Sequence, residues 1–217
     1  MKRANQHKRT LTAYGVFIIE SLRDGEYKDG ERLNKILEMA KINSLYRWVT
    51  SKTEFTDAIK DFNKSGFRYL HLSCHADETG LEVGGEEISN FDLIDILEGN
   101  VRGRRIFLSS CKGSNLHTAT VVIQKCKGQS VVGTPIDIYF HEAALFWPSF
   151  YYVINRIDKE KMNQQSISES IKKCVDLFEV PINYYCKSKT KGYINRYKFK
   201  STSAPDKKLI KIAENIR

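Results

Sequence analysis

The chain has 217 residues, enough for one α/β domain or two small ones, and its 41% hydrophobic content excludes an intrinsically disordered protein. Its five cysteines include no C-x-x-C pair, which disfavours a zinc site and indicates a reducing, cytoplasmic compartment. No apolar run approaches the roughly 20 residues that cross a bilayer, and MKRANQHKRT lacks the features of a secretory signal, so no membrane association is predicted.

The apolar pattern alternates between strand and helix periods along the chain. In order it predicts strand 14–21, helix 31–41, strand 44–51, helix 53–63 capped by Thr53, strand 67–75, a hairpin turning at Gly84 and Gly85, helix 89–99 capped by Ser89, strand 104–111, helix 117–126, strand 129–134, helix 141–157 broken or bent near Pro148, helix 166–178, strands 182–186 and 192–199, and a weakly helical tail.

Strands this apolar predict burial on both faces, so the fold class is α/β, a three-layer sandwich with a mostly parallel central sheet. One domain is expected at 14–200, between a basic N-terminal arm at 1–13 and a basic C-terminal tail at 201–217. The formal net charge of +9 is concentrated at the ends, because residues 1–9 carry +4 and residues 187–217 carry +8. Such ends are either solvated tails or sites for nucleic acid or an acidic partner.

Two of the predicted strands end in residues that carry out chemistry. RYLHLSCHADETG presents His75 and RRIFLSSCKGSN presents Cys111, each where its strand stops. In an open parallel sheet, reactive groups gather beyond the carboxyl ends of the strands. A right-handed crossover through helix 89–99 would place the two strands side by side, about 4.8 Å apart. The sequence therefore predicts a Cys–His pair in one cleft.

This pair suits attack on an amide carbonyl. A free thiol has a pKa of roughly 8.5, and a neighbouring imidazole or helix N-terminus increases the thiolate fraction. The imidazolium can then protonate the departing amine, and backbone N–H groups of Ala76 and Cys111 are the expected oxyanion donors. His117 is a competing base, and Asp77 and Glu78 either orient the histidine or face solvent.

The segments HLSCHA, FLSSC, VVGTP and HEAALFWPSFYYVI, within residues 14–187, resemble the CHAT branch of the caspase-like (clan CD) cysteine peptidases. The resemblance implies a caspase-like fold, with His75 as the catalytic histidine and Cys111 as the nucleophile. Ala76 replaces the glycine that usually follows the histidine, and His141 occupies a position that is often acidic in the family. The resemblance also implies a specificity pocket, acidic in members that cut after Arg or Lys. Asp137 is its candidate residue here, and capping of the following helix is the alternative.

The leading hypothesis is an intracellular cysteine endopeptidase that acts on a protein substrate without a metal or cofactor. The resemblance implies regulation, through a separate activating protein or self-cleavage, in bacterial defence or signalling. One alternative is an inactive caspase-like module that binds nucleic acid or an acidic partner through its basic tail. Another is a different Cys–His acyl-transfer enzyme on a similar sheet.

Overall fold

A computed structural model describes residues 13–159, 163–201 and 204–212. In chain order the elements are β1 Ala13–Ser21, α1 Asp29–Met39, β2 Ser44–Trp48, α2 Lys52–Ser65, β3 Phe67–Ala76, β4 Gly80–Val83, β5 Glu86–Ser89, α3 Asn90–Leu97, β6 Arg105–Ser109, α4 Leu116–Thr120 followed by a π-helical turn at Val121–Lys125, β7 Ser130–Gly133, α5 Phe140–Ile157, α6 Gln164–Phe178, β8 Ile182–Lys187, β9 Tyr193–Phe199 and β10 Asp206–Lys211.

The main sheet has the strand order β10-β9-β8-β7-β6-β3-β1-β2, and the β4–β5 hairpin extends from the end of β3. Strands β2, β1, β3, β6 and β7 run parallel, whereas β8, β9 and β10 are antiparallel to their neighbours. The mostly parallel sheet predicted from the sequence is therefore confirmed. Parallel strands direct their carboxyl ends to one edge of the sheet, where sites in such folds form.

Two hydrophobic clusters cover the two faces of the sheet. One packs α2, α3 and α4 against the strands, and it includes Phe62, Leu93 and Ala119. The other packs α1, α5 and α6 on the opposite face, and it includes Leu37 and Phe150. This arrangement is the predicted three-layer sandwich. No helix in the described ranges is long and apolar enough to cross a bilayer.

Several local predictions need correction. Helix α2 is capped by Ser51, whose hydroxyl accepts the Glu54 N–H at 3.2 Å, so the cap predicted at Thr53 is wrong by two positions. Helix α5 continues through Pro148 without a break, because the buried aromatic side chains on either side, among them Trp147 and Tyr151, anchor both halves to the core.

Part of the segment predicted as a weakly helical tail, Asp206–Lys211, forms a strand, and residues 202, 203 and 213–217 of that prediction lie outside the described residues. β10 lies within the segment predicted as a basic tail, and it pairs with β9 along its whole length. Ile210 packs against the first hydrophobic cluster, and this contact overrides the weak helical preference of the segment. Of the predicted N-terminal arm, residues 1–12 lie outside the described residues.

Candidate active site

The ends of β3 and β6 bring the predicted pair together. Ser73 and Ser109 are register partners in these adjacent parallel strands, and His75 and Cys111 each follow two residues later. Both side chains line one cavity of about 80 Å³. Its other walls come from Leu22, Asp29, Cys74, Ser109, Ser110, Ile138, Phe140 and Ala143. The catalytic roles predicted for His75 and Cys111 remain predictions, now with a shared cavity to support them.

His75 is held from one side by a carboxylate. Its Nε2 atom lies 2.9 Å and 3.0 Å from the two carboxylate oxygens of Glu26, in the loop between β1 and α1. The Phe140 ring meets the imidazole edge-on, with 6.5 Å between the ring centroids. Because Nε2 is engaged by Glu26, Nδ1 is the nitrogen left to exchange a proton with a group in the cavity.

The Glu26 carboxylate is itself fixed by its neighbours. The backbone N–H of Arg23 donates to Glu26 Oε2 at 2.8 Å, and the Arg23 guanidinium makes two bonds, of 2.9 Å and 2.7 Å, to Glu82. Glu82 is the register partner of His75 in the β3–β4 ladder. Partial burial opposes ionisation of Glu26, but the bonds from Arg23 and His75 outweigh it and hold its pKa below the usual value. The group facing His75 is therefore an anion at neutral pH.

Sequence reasoning missed Glu26, because it lies 49 positions before its histidine. The available signal was an acidic residue in the loop after the first strand, at the edge where the other strand ends meet. Asp77 does not orient the histidine, because its carboxylate accepts bonds from the Thr79 N–H and hydroxyl, both at 2.6 Å, and from the Gly80 N–H at 3.1 Å. Glu78 is exposed on the same loop.

The chain turns sharply immediately after Cys111. Lys112 has a φ of +50°, in the left-handed region, and its N–H donates to the Ile136 carbonyl at 3.1 Å. A Cβ atom at Gly113 would lie 2.5 Å from Ser110 Oγ, so a larger residue there would force the Ser110 side chain to move. The Cys111 thiol donates to the Ile138 carbonyl at 3.8 Å. This turn presents the sulfur to the cavity and ties it to the β7–α5 loop.

The two predicted oxyanion donors lie on adjoining segments. Ala76 ends β3 opposite Leu81, and its Cβ would be 3.3 Å from a Cβ on Gly113, in the turn that follows Cys111. Helix α4 begins at Leu116, and its cap Asn115 accepts the Thr118 N–H at 2.9 Å. The oxyanion role of the Ala76 and Cys111 amides stays a prediction.

A buried acid lies at the floor of the cavity. Asp29, the first residue of α1, accepts hydrogen bonds from the hydroxyls of Ser73 at 2.5 Å and Ser109 at 2.8 Å. The neighbouring Glu20 carboxylate accepts from the Gly30 N–H at 2.7 Å and from the Tyr46 hydroxyl at 2.7 Å.

Burial raises the pKa of both Asp29 and Glu20. The sequence held a signal for this pair, since Glu20 lies in the apolar run VFIIES, where a carboxylate needs a partner.

Asp137 lies elsewhere. Its side chain is 71% exposed and forms an ion pair of 3.2 Å with Lys112, and it is not among the residues that line the cavity. The N-terminus of α5 is bonded by Glu142, which accepts the Tyr139 N–H at 2.9 Å. Asp137 as a specificity residue stays a prediction, whereas Asp29 is the acid within the cavity.

The remaining candidates divide by burial. His71 and Cys74 are buried, as the core interpretation of both predicts, although Cys74 also contributes to the cavity wall. His117 is exposed and borders a separate groove of about 490 Å³ with Glu78. His141 is exposed and stacks on Tyr139. None of the three histidines contributes to the cavity wall that His75 shares with Cys111.

No family model matches this sequence, and no curated protein matches it either. Among solved structures, the fold is similar to the crystal structure of the Arg-specific cysteine proteinase gingipain R, with a TM-score of 0.53 and 10% sequence identity. The match covers 94% of this chain and 68% of that chain. At this identity the likeness shows the fold alone: the chain has a caspase-like α/β fold.

Proposed function

We propose that this protein is a cysteine endopeptidase in which Cys111 is the nucleophile and His75 the general acid and base. The observation that carries the proposal is the shared cavity of Cys111 and His75, with the Glu26 carboxylate on the far side of the imidazole. A nucleophile, a base and a group that orients the base form the arrangement typical of covalent acyl transfer.

In the first step, the Cys111 thiolate attacks the carbonyl carbon of the scissile peptide bond. The backbone N–H groups of Ala76 and Cys111 stabilise the resulting oxyanion. His75, charged after taking the thiol proton, donates it to the departing amine, and the ionised Glu26 stabilises that imidazolium. Water then attacks the thioester with His75 as general base, which releases the second product and restores the thiol.

We further propose that the residue before the cut is basic. Asp29 is the acidic group on the cavity wall, and its two bonds come from neutral serine hydroxyls. An entering guanidinium or ammonium would supply the missing positive charge and make a charge-assisted bond. The cavity of about 80 Å³ must widen for such a side chain, which requires Ile138 and Phe140 to move. Asp137, at the surface, is the second candidate for this role.

The finer assignment to the CHAT branch rests on the motif resemblance of HLSCHA and FLSSC. On that basis we propose a regulated intracellular protease of bacterial defence or signalling, switched on by a protein partner.

The proposal is tested with a peptidyl acyloxymethyl ketone that carries arginine next to the reactive group. We expect one covalent adduct, at Cys111, located by peptide mass mapping, and no adduct at the other four cysteines. Labelling should fall strongly in His75→Ala. Asp29→Asn should lower the preference for arginine over leucine electrophiles, and loss of that preference in Asp137→Asn instead would assign the role to Asp137. Equal labelling of several cysteines, or labelling independent of His75, would count against the peptidase. New peptide termini in a lysate treated with the native chain, absent with Cys111→Ala, would identify substrates.

A further inference from the structure

The antiparallel end of the sheet carries one strongly charged face. The register of β8, β9 and β10 places Lys187, Arg196, Lys198 and Lys208 on the same side, because alternate residues share a face. Asp206, the cross-strand partner of Lys198, lies on this side as well. Tyr185 and Ile194 lie on that side too, and both belong to the cluster under α2, α3 and α4. We call these four basic residues the basic face.

The charge of this region is not neutralised within the described chain. Residues 187–212 include nine Lys or Arg residues and one acidic residue, Asp206. Among the described residues, none of these ten takes part in an ion pair, whereas eight ion pairs occur between residues 23 and 176. The excess of cations over acids is therefore concentrated on these strands, where the described residues provide no ion-pair partner for them.

The excess of positive charge is most unfavourable at Arg196. It is the direct cross-strand partner of Lys208, and like charges in that relation destabilise a sheet. Its Nε atom is buried without a hydrogen-bond partner in the described structure. An unpaired, buried donor is destabilising, and an anion that reached this guanidinium would offset that cost.

We propose that the basic face binds the phosphate backbone of a nucleic acid. Arg196 and Lys198, two residues apart on β9, are about 6.8 Å apart along the strand. Lys208 on β10 lies beside Arg196, and Lys187 on β8 lies one pleat further along. A row of cations across adjacent strands suits a polymer that carries negative charges at regular intervals.

An acidic protein fits this face less well, since protein interfaces need buried apolar anchors. In residues 187–212 the large exposed hydrophobic residue is Leu209, and the register places it on the opposite side of β10.

This inference does not depend on peptidase activity, so it is tested in the full-length Cys111→Ala chain. The measurement is fluorescence anisotropy with labelled single-stranded RNA, single-stranded DNA and duplex DNA. Four phosphate contacts predict that raising salt from about 50 to 200 mM weakens binding about 50-fold for a single strand and about 150-fold for a duplex.

The decisive comparison uses two variants with the same change in net charge. One replaces the basic face, Lys187→Gln, Arg196→Gln, Lys198→Gln and Lys208→Gln. The control replaces four lysines that form helix-surface ion pairs, Lys35→Gln, Lys60→Gln, Lys64→Gln and Lys172→Gln. We expect the first variant to lose most of its affinity and nearly all salt dependence, and the control to change less than about threefold, with circular dichroism showing both folded.

Three results would overturn the inference. The first is no salt-dependent binding by the unaltered face, and the second is an equal loss in both variants. The third is tighter binding to polyglutamate than to the nucleic acids, which would assign the face to an acidic protein instead.

Discussion

Two histidines on one face of β3 show how position in a sheet decides chemistry. His71 is fully buried, 3.0 Å from the Tyr151 hydroxyl, and burial lowers its pKa to about 3. His75, four residues on, has a side chain 32% exposed and faces the Glu26 carboxylate. The interior of the sheet holds an imidazole neutral at any physiological pH. At the carboxyl end of the same strand, an imidazole has both an anionic partner and access to solvent.

The two cysteines repeat the contrast. Cys74 is buried in the first hydrophobic cluster, and burial raises its pKa to about 12. Cys111 is half-buried, beyond the end of β6. Each of these two strands therefore supplies its reactive group two residues beyond the last register pair of β3 and β6, where desolvation is partial.

The largest expected effect is the difference in activity between alanine variants of the two cysteines. We expect Cys111→Ala to lower kcat/KM by about 10⁴-fold or more, since it removes the nucleophile. Cys74→Ala should leave kcat/KM within a few-fold and cost about 1–2 kcal/mol of stability through a small cavity. Peptide hydrolysis and urea unfolding measure the two quantities. A Cys74 variant that is folded but inactive would contradict the contrast.

The next largest effect should distinguish alanine variants of the two histidines. His75→Ala should lower kcat by about 10²- to 10⁴-fold, as loss of a general acid and base does, with little change in stability. His71→Ala should instead lower the free energy of unfolding by about 2–4 kcal/mol and leave kcat within a few-fold. The same two assays decide. A large fall in kcat for His71→Ala, at a temperature where the variant is folded, would show that the interior histidine takes part.

A smaller effect concerns the orienting carboxylate. Glu26→Gln preserves the side-chain shape but removes the charge that stabilises the imidazolium, so we expect kcat to fall about 10- to 100-fold with KM nearly unchanged. Arg23→Gln, which loosens the loop without touching His75, should cost less than Glu26→Gln. An Arg23→Gln defect equal to that of Glu26→Gln would mean that loop position, and not the carboxylate charge, matters most.

The smallest expected effect is the pH dependence of stability, which should have opposite signs for Glu26 and Asp29. The pKa of Glu26 is lowered, so its contribution to stability is present above the usual glutamate pKa and is lost as pH falls through the lowered value. The pKa of Asp29 is raised, so its contribution is present below the usual aspartate pKa and is lost as pH rises through the raised value.

Relative to the native chain, Glu26→Gln should therefore become less destabilised toward acid, and Asp29→Asn less destabilised toward neutral pH. Urea unfolding of both variants in the Cys111→Ala background, from about pH 4 to 8, measures this. The same direction of change in both would contradict the assigned environments.

Local patterns predicted most of the fold and the meeting of His75 with Cys111, because strand ends and crossover handedness follow from short apolar runs and general topology. Glu26 and Asp29 could not be placed from the sequence, since their positions depend on how one loop folds across a sheet edge. Asp137 follows β7 closely in sequence, but its side chain lies at the surface beside Lys112 and outside the cavity. β10 was missed because a lysine-rich edge strand has little apolar alternation.

The bond from the Cys111 thiol to the Ile138 carbonyl links reactivity to access. Ile138 and Phe140 also form part of the cavity wall. The loop between β7 and α5 therefore both accepts the hydrogen bond from the thiol and narrows the cavity. Pulling that loop outward would release the thiol and open room for a side chain in a single movement. A substrate or partner that bound this loop and displaced it would therefore free the thiol and admit the peptide in the same step.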